Sequence, residues 1–138
     1  MAYYGEGGHI GTLVAGEDLS ATAGLNGQSG SGQFLGMKSS TAADNTALHC
    51  STGNEAMIGV LQNKPKTGEV CDVQYDGVTK FMCGGSFTRG ALLELDSSGR
   101  AVTSSTTGHI VVGVALESSG GSGEIHTVRI YDTPYAHP

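Results

Sequence analysis

The chain has no tryptophan, and aromatic residues make up only 6% of its 138 positions. Charge is scarce as well, at 14% Asp, Glu, Lys and Arg. Each shortage excludes something. With so few rings the chain buries little per residue and has few platforms on which a sugar could stack. Seven Lys and Arg stand against thirteen Asp and Glu, giving a formal net charge of -6. Those cations are scattered singly, so the clustered positive charge that a nucleic-acid backbone requires is missing. The one close basic pair, Lys64 and Lys66, reads as a solvated turn. No apolar run approaches the length of a membrane span. Met1-Ala-Tyr-Tyr-Gly-Glu has neither the basic nor the apolar segment of a secretory signal. The expectation is a protein made and used in a cytoplasm, or inside a particle assembled there, that binds neither nucleic acid nor membrane.

Catalytic and cofactor signatures are also wanting. Cys50, Cys71 and Cys83 form no Cys-x-x-Cys pair, and an odd count without an export signal predicts reduced, partly buried thiols. His9, His49, His109, His126 and His137 include no pair with metal-ligand spacing. His126 falls on the apolar face of its strand, which suits a core or interface histidine with one hydrogen bond. No phosphate-binding glycine loop is present. The serines of Gly27-Gln28-Ser29-Gly30-Ser31 and Gly84-Gly85-Ser86-Phe87-Thr88 lack the last glycine of a nucleophile elbow and the helix that follows one. Asp76, Asp96, Glu117 and Asp132 read as isolated turn acids bonded to nearby backbone. Lys80 lies within a strand rather than at a hairpin tip, so a lipoyl or biotinyl attachment site is rejected. No cofactor, no metal and no enzyme activity is expected.

What the chain does have is glycine, 23 residues of it, and a pattern that occurs twice. Met57-Ile58-Gly59-Val60-Leu61, a Lys-Pro-Lys turn and Gly68-Glu69-Val70-Cys71-Asp72-Val73-Gln74-Tyr75 form the first copy. Val111-Val112-Gly113-Val114-Ala115-Leu116, a Ser/Gly turn and Gly123-Glu124-Ile125-His126-Thr127-Val128-Arg129-Ile130 form the second. Counted from each glutamate, Cys71, Val73 and Tyr75 share a face, as do His126, Val128 and Ile130, so equivalent faces should be buried. Further strands are predicted at Ile10–Ala15, Phe34–Met37, Ala47–Cys50, Val78–Cys83, Ala91–Leu95 and Arg100–Thr103. The apolar runs at Met57–Leu61 and Ile110–Leu116 read as strands covered on both faces. Asp76-Gly77 predicts a hairpin between its flanking strands. Glu17–Ala21 suits a single helical turn, and Asn26–Gly32 a loop.

The segment from Ile58 to Val128 resembles the bacteriophage capsid decoration, or head cement, proteins. The resemblance is carried by Gly59-Val60-Leu61-Gln62-Asn63-Lys64-Pro65-Lys66-Thr67-Gly68-Glu69 and Gly77-Val78-Thr79-Lys80. It continues through Gly90-Ala91-Leu92-Leu93, Ser98-Gly99-Arg100-Ala101-Val102, Gly113-Val114-Ala115-Leu116-Glu117 and Gly123-Glu124. The N-terminal half matches loosely and carries a longer polar insertion around Ser39 to Asn54. The resemblance implies a tulip- or barrel-like β body that assembles as homotrimers on the outer capsid surface. There it would bind the major capsid protein and reinforce the shell against internal DNA pressure. It brings no catalytic residues.

The expectation is therefore an all-β, mainly β protein with at most one or two short helices. A compact β-tulip or barrel-like body of residues 10–138 follows an extended N-terminal arm of residues 1–9. A structural role in the virion leads; a virion fibre base or carbohydrate-binding β module is the alternative. The arm is the expected capsid-binding element. Tyr3 and Tyr4 are amphipathic rings of a kind enriched at interfaces, Gly5 lets the backbone approach another surface, and His9 and Ile10 join the arm to the body.

Overall fold

The computed structural model describes residues 9–20 and 31–138. These residues contain strands and no helix. The strands divide by sequence into two groups. The first five form a closed barrel in the order β1-β3-β2-β4-β5: β1 (Ile10–Ala15), β2 (Gly36–Ser39), β3 (Thr46–His49), β4 (Gly59–Leu61) and β5 (Val70–Gln74). Among the described strand pairs of the barrel, only β1 and β3 run parallel. The remaining strands build a five-stranded antiparallel sheet, β6 (Gly77–Met82), β12 (Ile125–Ala136), β10 (Ile110–Ala115), β8 (Leu92–Leu95) and β9 (Ala101–Thr103). A two-stranded ribbon, β7 (Ser86–Phe87) with β11 (Ser119–Gly120), completes the fold.

Alternation explains the barrel. In β1, Ile10, Thr12 and Val14 point out while Leu13 and Ala15 point in, and in β5 Cys71 and Val73 point in. The interior holds Leu19, Met37, Ala47 and Leu61 as well. A second, larger core joins the barrel wall to the sheet, with Met57 and Val60 from one side and Phe81, Leu93, Leu95, Val128 and Ile130 from the other. A polar seam runs beside it. Gln74, fully buried, donates through Nε2 to the carbonyls of Asp76 (2.8 Å) and Val78 (3.0 Å), and Gln62 Nε2 donates to the Thr79 hydroxyl (2.9 Å).

The doubled pattern is two antiparallel strand pairs with matching inner faces. Leu61 stands opposite Val73 in the barrel, and Ala115 opposite Val128 in the sheet. Cys71, Val73, Val128 and Ile130 are all buried. The three thiols are free and buried, as expected. Burial pushes the Cys50 thiol up to about 12 and that of Cys71 to about 11.

Other expectations fail for local reasons. Asp76-Gly77 makes no hairpin: β5 pairs with β1 and β4, and β6 pairs with β12. Gly77 does take the left-handed conformation that the turn calls for (φ +84°), but the chain uses it to cross from barrel to sheet. Glu17 to Ser20 form no helical turn, and Ala21 lies outside the described residues. The Glu17 carboxylate is taken by His49, and Asp18 bonds the Ser20 amide (3.0 Å) and hydroxyl (2.6 Å) in a local turn. The strand predicted from Phe34 starts at Gly36, because Phe34 sits at φ 70°. The last strand runs past Ile130, where the second copy of the pattern stops, to Ala136. In β10, Val114 is only half-buried and the following Leu116 is exposed, so that run is covered on one face more than the other.

Candidate partner-binding surface

Tyr3, Tyr4 and Gly5 lie outside the described residues. His9 and Ile10 stand where the chain enters β1. His9 is tied at three points: its N–H donates to Asp76 Oδ1 (2.8 Å), its carbonyl accepts from the Tyr75 amide (2.7 Å), and its Nδ1 lies 3.0 Å from both Asp76 oxygens. The His9 ring bond and N–H hold the Asp76 carboxyl below the usual aspartate range. Asp76 is thus a turn acid whose partner lies far away in sequence. Tyr75 lies across Gly11, where any larger side chain would strike its ring. Ile10, 54% exposed, is the first outward residue of the barrel wall. Further along that wall Val14 and Val70 stand directly opposite one another, both exposed.

The link from Asp76 leads straight to a second surface. Gly77 pairs with Ile130 and Val78 with Arg129. Asp76, Gly77, Arg129, Ile130 and Asp132 line one small cleft of about 200 Å³, so the root of the arm meets β12 there. Arg129 opens the outer face of the five-stranded sheet. A row runs across four strands from Val78 through Arg129 and Val114 to Leu92. Beside it come Thr127 with Leu116, then Ile125 opposite Met82. Leu92 (40%), Leu116 (45%) and Ile125 (42%) are exposed on this face. Scattered exposed apolar residues are ordinary, but several aligned on one open sheet face make a candidate interaction surface.

The upper end of this face carries rings. Between the pairs Gly113–Ile130 and Val111–Tyr135, the residues Tyr131 to Pro134 bulge out opposite the single residue Val112. Pro134 has no N–H to give to a ladder, which suits a bulge. The bulge sets Tyr131 and Tyr135 side by side, 6.3 Å between centroids and 21° between planes. The Arg129 guanidinium lies 5.6 Å over the Tyr131 ring. Tyr and Arg are the residues that most often dominate binding energy at interfaces. The lower end is acidic. His126 Nε2 lies 2.7 Å from Glu124, with Glu117 at 3.8 Å from Nδ1. Its hydrogen bond helps to hold Glu124 below the usual glutamate range.

Of the expected site residues, then, His9 is tied through Asp76 to the corner of this face, while Ile10 stands on the barrel wall. Arg129, Tyr131, Tyr135 and the row ending at Leu92 were not singled out by sequence reasoning. A signal existed in the outward set Ile125, Thr127 and Arg129, whose period of two carries an apolar residue on the side away from the core. Among the described residues no group of three or more His, Cys, Asp or Glu is placed to hold a metal ion.

A family model described as phage cement protein matches residues 16–130. No curated protein sequence matches the chain. Among solved structures, the head fiber gp8.5 N base of bacteriophage phi29 is similar in fold, with a TM-score of 0.66 at 18% identity. That likeness covers 94% of this chain and 99% of the other.

Proposed function

The chain belongs to the phage cement protein family and is a structural protein of the phage virion; from that premise we propose that it binds the outer surface of the capsid as a homotrimer and stabilises the shell against internal DNA pressure. The observation that carries the reading is the uncovered outer face of the five-stranded sheet, with the root of the N-terminal arm at its corner. The two parts divide the work. The row Val114, Leu92 and Leu116, with Arg129 and Tyr131 above it, packs against a neighbouring copy. Residues 1–8, anchored by His9 on Asp76, reach the major capsid protein, with Tyr3 and Tyr4 as anchors and Gly5 allowing close approach. Each contact is small, but repetition over a symmetric shell multiplies weak binding.

The test uses undecorated capsids and the purified full chain. Wild type is expected to sediment with capsids and to raise the temperature at which they burst. Removing residues 2–8 should abolish co-sedimentation while leaving the trimer mass and the melting curve unchanged. Leu92→Glu with Leu116→Glu should yield a folded monomer that decorates at least about tenfold more weakly. A wild-type chain that stays in the supernatant at every concentration sinks the capsid reading. A truncated chain that decorates as well as wild type sinks the role of the arm.

A further inference from the structure

We propose that the chain carries a second binding site, unrelated to capsid attachment, for a neutral saccharide: the groove at the β8–β9 end of the sheet. The groove holds about 520 Å³ and is lined by the 51–53 loop, the ends of β8 and β9, Ser86 and the loop before β10. That volume lies within the usual range of small-ligand sites, roughly 300–1,000 Å³. Its lining is unusual in two ways: it is crowded with hydroxyls, and its charges are already spent.

The spent charges come first. Glu94, whose side chain is only 5% exposed, uses both carboxylate oxygens. Oε1 accepts the Ser105 N–H (2.7 Å) and the Thr106 N–H (3.1 Å), and Oε2 lies 2.6 Å from His109 Nδ1. Asp96 Oδ1 accepts the N–H groups of Ser98 (2.8 Å) and Arg100 (3.0 Å), and Oδ2 accepts from Arg100 Nε (2.9 Å). No Lys or Arg lines the groove. An anionic ligand would find no cation there, and a cationic one would find no free carboxylate.

The groups left over are neutral hydrogen-bonding ones. The side-chain hydroxyls of Ser86, Ser97, Thr103, Ser105 and Thr106 line the groove and form no hydrogen bond among the described residues. His109 adds a sixth group. The Glu94 carboxylate fixes the proton on Nδ1, so in the neutral ring Nε2, which has no partner among the described residues, is an acceptor. Gly53 leaves room for the ring, since a Cβ at that position would collide with it. Val102 supplies an apolar patch in the lining. Several free donor-acceptor hydroxyls, one oriented acceptor, no available charge and an apolar patch match a sugar ring, which has hydroxyls around its rim and C–H groups on one face. With no aromatic platform in the lining, the affinity per site is low, and many copies on a shell would raise it.

The experiment is an amide-resolved NMR titration of the full chain, free of capsids, so that its failure is separate from failure of the decoration reading. The probes are glucose, galactose, mannose and N-acetylglucosamine, with sialic acid and glucose 6-phosphate as charged controls. At least one neutral sugar should shift the amides of Gly53, Thr103, Ser105 and Thr106 with a Kd on the order of 1–10 mM. Ser86→Ala with Thr103→Val leaves the Glu94 cluster intact, so the amide dispersion should be retained while binding weakens about tenfold. No shift with any neutral sugar overturns the site, as does unchanged binding by the double variant. Charged sugars that bind as tightly as neutral ones overturn the assignment of ligand class.

Discussion

Val73 and Val128 occupy matching places in the doubled pattern but lie in different cores, the first inside the barrel and the second between barrel and sheet. Both are fully buried. Truncation of either to alanine removes two methyl groups, worth about 1.6 kcal/mol in transfer free energy. A residual cavity of roughly 40 Å³ would add about 1 kcal/mol. Val73 should sit at the upper end of that sum. Its Cγ1 occupies the space over Gly59, 2.6 Å from where a Cβ would stand, and the facing wall is β4 backbone that cannot collapse inward. The expected losses are about 2–3 kcal/mol for Val73→Ala and about 2 kcal/mol for Val128→Ala. Because the two clusters share no member, the double variant should lose the sum to within about 0.5 kcal/mol. Val70→Ala, on the exposed side of β5, is the control and should stay within about 0.5 kcal/mol of wild type. Urea unfolding followed by far-UV circular dichroism and by tyrosine fluorescence measures all four, and at this size 1 kcal/mol moves Tm by roughly 3–5 °C. Because barrel and sheet both contribute to the core that holds Val128, one transition with an unchanged m value is expected. Losses below about 0.5 kcal/mol at either buried valine, or two separate transitions, would falsify the picture of equivalent buried faces in two cores that unfold together.

Three further outcomes follow from particular contacts. Burial raises the pKa of Glu94, but the N–H groups of Thr106 and Ser105 and then His109 outweigh it, and the net direction is down from 4.5. A depressed folded value contributes stability above the unfolded pKa that is lost as pH falls through the folded one. Wild type should therefore lose stability below about pH 4.5, and Glu94→Gln should flatten that acid limb in urea melts at stepped pH. The thiols of Cys50, Cys71 and Cys83 are buried with raised pKa, so a thiol reagent at neutral pH should label none in native protein and all three in urea. Gly53→Ala should lower stability by about 1–3 kcal/mol, because its Cβ would meet the His109 ring and, at 2.7 Å, the Leu95 carbonyl oxygen; a melting curve like that of wild type would show that the ring does not lie there.

The sequence was most legible where two signals agreed. The apolar run to Leu61 and the alternation from Val70 place two strands and their inner face, and the same logic works for Ile110 and Ile125. The Asp96-Ser97-Ser98-Gly99 turn closes β8 onto β9 as a hairpin, with Leu95 opposite Ala101. At Asp76-Gly77 the identical reasoning fails. A turn signal states that the chain bends, and the partner of the next strand is decided by distant groups, here Gln74, His9 and β12. The carboxylate partners of His9, His49 and His109 were illegible for the same reason, since each pair joins residues fifteen or more positions apart. The open sheet face was half legible: alternation gives an outward set, but whether that set meets solvent or another layer depends on topology.

Every hydrogen-bonded strand pair joins residues on the same side of Asp76. Across that boundary the described backbone makes three hydrogen bonds: Gly36 to Gly99, Met82 to Phe34 and Ile110 to Gly53. Side chains of the common core and the Gln62 and Gln74 amides do the rest. In mechanical terms the molecule is a stiff barrel and a stiff sheet glued along a soft joint. A ladder resists shear because its bonds must break together, whereas apolar contacts slide and re-form one by one. A shell that swells under internal pressure strains whatever is fastened across its surface. In the capsid role proposed above, a body built this way would give first at the glue line, and barrel and sheet would each keep their own ladders when the load is released.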